Sequence, residues 1–185
     1  MVSVMALWLP ILLSAVMVFI VSSILHMVLP HHRNDYAKLP NEDNLRDAIR
    51  NAGVKPGNYA VPCSANPKDM GSPKMLEKYN QGPVGLVTVL QNGPPAMGKS
   101  LAQWFVFSLV ISVFVGYVTG IAVGPGADYM LVFRLAGTVA ILGYGATWAT
   151  DSIWKGVAWS TTMKHLFDGV IYGLFTAGVF GWLWP

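Results

Sequence analysis

Two long stretches of this chain hold no Asp, Glu, Lys or Arg: Met1 to His32, and Ser100 to Ala127. Each exceeds the ~20 apolar residues a helix needs to cross a hydrocarbon core of about 30 Å. A third run, Tyr129 to Trp148, is broken only by Arg134, and a fourth, His165 to Trp184, only by Asp168. The expected architecture is an all-α integral membrane protein. Its four transmembrane helices fall at 1–28, 101–123, 129–149 and 165–184, with a cytoplasmic link at 150–164 and a small α+β cytoplasmic cap at 29–100 between helices one and two. With 54% hydrophobic and 11% charged residues, the composition excludes most soluble enzymes. The first run lacks a basic leader and a small-x-small cleavage pattern before His31, so it reads as a retained anchor and not a secretory signal.

Orientation follows from the cations. Nine Lys and Arg lie between Leu29 and Ser100, and Lys155 and Lys164 join them on the same side of a four-span chain, making eleven of the twelve. The positive-inside rule then places both termini outside and the 29–100 loop in the cytoplasm. Trp8, Trp182 and Trp184 mark the outer boundary, and Trp104 and Trp148 the inner one. The lone Cys63 can form neither an intrachain disulfide nor a zinc motif, and reads as an inert thiol.

The loop is too long for a bare connection. A helix is expected near 41–52, with Asn41 as N-cap and Leu45, Ala48, Ile49 and Ala52 on one face. Strands are expected near 58–61 and 84–91, with an irregular, Lys-rich middle that includes a helical turn at Met75 to Tyr79 and tolerates anionic lipid headgroups. Gly93-Pro94-Pro95-Ala96-Met97-Gly98-Lys99-Ser100 matches the phosphate-loop pattern, yet Pro94 and Pro95 remove two of the backbone donors such a loop depends on. No nucleotide is therefore expected at 93–100, and nothing in the chain suggests nucleic-acid binding.

Small residues recur at every fourth position in two helices: Ser108, Ser112, Gly116, Gly120 and Gly124, then Gly169, Gly173, Ala177 and Gly181. This spacing lets backbones approach closely where lipid offers no hydrophobic drive for association. Beside the second stripe, His165, Asp168, Tyr172 and Thr176 share one narrow sector at about 100° per residue, while Phe167, Ile171, Leu174, Phe175 and Trp182 occupy the opposite one. Asp168 reads as a first-turn carboxylate that caps N–H groups and meets the helix dipole, with a proton or ligand role as the alternative. Arg134 is placed to snorkel to outer headgroups or to touch a partner. No metal or other cofactor is expected; His26 and His165, at the inner ends of helices one and four with His31 and His32 nearby, are the only foothold for haem or a metal.

The segments His31-His32-Arg33-Asn34-Asp35-Tyr36, Gly93 to Lys99, Ser152-Ile153-Trp154-Lys155-Gly156 with Trp159-Ser160, and Gly181-Trp182-Leu183-Trp184-Pro185 together resemble a family of small uncharacterised bacterial inner-membrane proteins. The resemblance spans nearly the whole chain. It implies a bacterial cytoplasmic membrane and carries no activity. Three functions stay open: a non-catalytic accessory or assembly subunit that binds other membrane subunits, or itself, through its small-residue faces; a small oligomeric transporter or channel using the His165/Asp168/Tyr172 stripe; and a haem- or metal-holding redox subunit.

Overall fold

The computed structural model describes residues 1–185 and divides into two compact units. One comprises Met1–Tyr36 and Ala96–Pro185, the other Ala37–Pro95.

The first unit is an antiparallel bundle. A short 3-10 turn at Val4–Leu7 leads into α1 (Trp8–Ser23), which widens into a π-turn at Ile24–Val28. Pro10 lies in the first turn of α1, where no intrahelical N–H is lost. The other long helices are α4 (Met97–Ala122), α5 (Tyr129–Ile141) with a π-turn at Leu142–Ala146 running into α6 (Trp148–Lys155), and α7 (Trp159–Trp182). Three continuous helical runs, Val4–Val28, Met97–Ala122 and Tyr129–Lys155, are long and apolar enough to cross a membrane.

Neighbouring helices run in opposite directions, as their pairings show. Along α1 and α4, Val2 N donates to Gly120 O at 2.8 Å, Ser14 Oγ to Ser112 Oγ at 3.0 Å, and Trp104 Nε1 to Ser22 Oγ at 2.8 Å. Along α7, Ala177 lies against Gly137 of α5 and Gly169 against Gly145 of the π-turn that follows α5. Close approach is enforced by the glycines: a Cβ on Gly169 would sit 2.5 Å from Gly145 Cα, and one on Gly120 would collide with Val2 O. Leu7, Val18, Val115, Val132 and Phe180 are fully buried between these backbones.

Several boundaries differ from the sequence expectation; helix two, expected at 101–123, is α4 from Met97 and takes in the last residues of the expected 29–100 cap. The 150–164 segment, expected as a link, is helical except at Gly156–Ala158, where Gly156 adopts the left-handed conformation that ends α6. Its polar residues satisfy one another, with Ser152 and Thr162 hydroxyls 2.6 Å apart and Lys155 2.7 Å from Asp151. Consequently α7 begins six residues before His165, and Asp168 does not cap its first turn.

In the second unit, α2 (Glu42–Asn51) and α3 (Pro73–Gln81) accompany an antiparallel pair of strands, β1 (Gly57–Val61) and β2 (Gly85–Val89), in register from Gly57 opposite Val89 to Val61 opposite Gly85. Asn41 precedes α2 but does not cap it through its side chain; it is left-handed, and its carbonyl accepts from Asn44 and Leu45. Ser72 caps α3 by accepting from Met75 N, and Met75 is the buried residue of that helix. A unit this small buries little apolar surface of its own.

Candidate metal centre

At one end of the bundle four histidines surround one carboxylate. His26 lies in the π-turn that ends α1, His31 and His32 in the 3-10 turn Pro30–His32, and His165 and Asp168 one turn apart on α7. Asp168 is 2% exposed, held there by the contact between Gly169 and Gly145 that brings the second π-turn against α7. Both π-turns thus fall at this end, an irregularity that recurs at functional sites.

The imidazoles converge on Asp168. His32 Nε2 lies 2.7 Å from Oδ2, His26 Nε2 3.9 Å and His165 Nδ1 4.0 Å from the same oxygen, and His31 Nε2 3.5 Å from Oδ1. One ligand atom from each of His26, His32, His165 and Asp168 lies within 4.8 Å of the others. Donors about 2.0–2.1 Å from a tetrahedral cation sit roughly 3.3 Å from one another, so His26 and His165 would move inward and the 2.7 Å His32–Asp168 pair would part slightly to close the set around an ion. Two atoms have no hydrogen-bond partner although they are buried: His31 Nε2 and Asp168 Oδ1.

The outer contacts orient the rings. His26 Nδ1 is 3.1 Å from the Ser22 carbonyl, so as a donor it leaves Nε2 facing Asp168. His32 Nδ1 is 2.5 Å from Asp35 Oδ2, which leaves its Nε2 for the centre in the same way. These are the acceptors that fix the tautomer of metal-bound histidine. In His32 both nitrogens face carboxylates; the ring can donate to both only when doubly protonated, or a cation can take the place of the Nε2 proton. Lys164 Nζ reaches Asp35 Oδ1 at 2.6 Å. Burial alone would raise the Asp35 carboxyl, but the hydrogen bonds from Lys164 and His32 outweigh it and hold the group below its ordinary value.

The rings form a column. His26 stacks on His32 at 4.2 Å, His32 on His165 at 4.9 Å, and His165 on Trp148 at 3.8 Å between centroids. Haem held between two axial histidines needs their rings on opposite faces of the macrocycle; here the imidazoles lie against one another with no room between them. The donor set suits a bare cation, because imidazole and carboxylate together favour late first-row dications.

The other residues singled out by sequence sit as follows. Tyr172 and Thr176 are buried on the Asp168 face of α7, and neither hydroxyl has a partner. Ser108, Ser112, Gly116, Gly120, Gly169, Gly173 and Ala177 are buried within this chain, Gly181 packs near Tyr129, and a Cβ on Gly124 would meet nothing within 4 Å. Arg134 is exposed on α5, away from the histidines, and Cys63 is exposed in the second unit. Sequence reasoning paired His26 with His165, placed His31 and His32 only nearby, and missed Asp35. The short spacing of His31, His32 and Asp35 on a turn was the available signal.

No protein-family profile, curated protein or solved structure matches the chain.

Proposed function

We propose that this is a four-span protein of a bacterial cytoplasmic membrane, α7 being the fourth span, and that its function is to bind a late first-row transition-metal dication at His26, His32, His165 and Asp168. The observation that carries the reading is the convergence of three imidazoles and one buried carboxylate, two of the rings already oriented by outer acceptors. The distribution of Lys and Arg puts this end on the cytoplasmic side and both termini outside. The small-residue faces, which gave the accessory-subunit reading its support, are largely spent on packing within the chain, so support moves to the metal centre.

The test is metal retention. Full-length protein purified in mild detergent, loaded with Zn²⁺ and dialysed, should keep a single ion per chain by mass spectrometry of the metal, and His32→Ala and Asp168→Asn should keep none. Wild-type protein that emerges metal-free would end the reading.

A second reading treats the ion as cargo. It is favoured by the unpartnered hydroxyls of Tyr172 and Thr176, which continue from Asp168 along the buried face of α7. Zn²⁺ flux into vesicles containing the protein, abolished by Asp168→Asn, would support transport; tight retention without flux would support a resident ion.

A further inference from the structure

Asp35 and Lys164 stand outside the four converging ligand atoms, yet they are tied to them by two of the shortest polar contacts at this end of the bundle. Asp35 Oδ2 faces His32 Nδ1 at 2.5 Å, and Asp35 Oδ1 accepts from Lys164 Nζ at 2.6 Å. The Asp35 carboxylate is 6% exposed and His32 10% exposed, so water competes little for either bond. Asp35 lies on the segment after the Pro30–His32 turn, and Lys164 on α7 just before His165. The pair therefore ties the turn that supplies His32 to the helix that supplies His165 and Asp168.

We infer that Asp35 is the positioning residue of the metal centre: its carboxylate fixes His32 with Nε2 toward the ion, and Lys164 holds that carboxylate in place. The inference rests on the metal reading proposed above. A carboxylate behind a ligating imidazole fixes the ring's tautomer and direction and raises the basicity of the metal-facing nitrogen. Among the three converging histidines only His32 has such a carboxylate; the Ser22 carbonyl behind His26 is neutral. Lys164 also offsets the second negative charge that Asp35 brings near Asp168.

Co²⁺ titration of the detergent-purified full chain tests this, because its visible absorption reports both affinity and ligand arrangement. Asp35→Asn is expected to weaken Co²⁺ binding about 10- to 100-fold, to keep a single ion per chain, and to shift the absorption bands. Asp35→Glu should restore most of both. Wild-type affinity and spectrum in Asp35→Asn, while His32→Ala loses the ion, would overturn the inference and leave the metal centre standing. Failure of wild-type protein to bind Co²⁺ or Zn²⁺ would instead remove the metal centre itself, and this inference with it. Should Asp35→Asn fail to fold, Lys164→Met is measured in its place: a smaller loss in the same direction supports the positioning role, and unchanged affinity overturns it.

Discussion

The two ends of the helical bundle are closed in different ways. At the end opposite the histidines, backbone and indole groups meet in neutral hydrogen bonds: Val2 N to Gly120 O at 2.8 Å and Trp184 Nε1 to Gly124 O at 2.9 Å. Each bond satisfies a main-chain carbonyl that a helix end or turn would otherwise leave to solvent or headgroups. At the histidine end, the closing groups are ionisable side chains, and buried atoms of His31 and Asp168 have no partner. Closure alone requires only the first kind of chemistry. Gathering imidazoles around a carboxylate costs desolvation of charged groups, and a fold has reason to keep such a cluster where it binds something.

Substitutions can break this contrast. The largest effect is expected from Asp168→Ala, which removes the carboxylate 2.7 Å from His32 Nε2 and leaves a buried ring nitrogen without its partner; an unpaired buried polar group costs about 1–3 kcal/mol, and more where the lost partner is charged. Thermal unfolding in detergent would measure it, and an unchanged midpoint would show that the carboxylate is not integral to this end. Gly169→Ala should cost about 1–3 kcal/mol by overpacking, because the new Cβ must displace Gly145 backbone beside the site. Gly178→Ala provides the control: its Cβ meets nothing within 4 Å, so the change should stabilise α7 by up to about 1 kcal/mol through helix propensity.

Smaller effects sharpen the comparison. Trp184→Phe removes one hydrogen bond at the opposite end and should cost about 0.5–1.5 kcal/mol, with Co²⁺ affinity untouched. A change in metal binding in that variant would show that the two ends are coupled. Ser14→Ala breaks the Ser14–Ser112 bond in the middle of the bundle and should cost about 0.6 kcal/mol, the usual worth of such bonds between membrane helices.

Much of the bundle was legible in the residues. Charge-free runs mark helices because hydrocarbon tolerates few unpaired charges, and small residues at every fourth position mark close backbones, as at Gly169 and Gly120. The second strand of the smaller unit was visible in Val84, Val87 and Val89 and in the bounding Gly82-Pro83 and Gly93-Pro94. The start of α7 was not, because Thr161, Thr162 and Lys164 resemble a loop until Ser152 and Asp151 supply partners for this stretch and its neighbour. That error moved Asp168 into a first turn and gave it a capping role it does not have. The π-turns left no periodic signal, since a single widened turn barely shifts the apolar pattern of a helix that is hydrophobic on most of its faces.

By itself the sequence determined that the chain builds long apolar helices with closely packed faces, because the periodicity of small and charged residues is a local property of the chain. Only the tertiary structure decided that His32 meets Asp168, 136 positions away, and that Lys164 meets Asp35. Such meetings depend on how antiparallel helices register against one another. That register is set by contacts such as Gly145 on Gly169 and Val2 on Gly120, none of which is written in the spacing of the histidines.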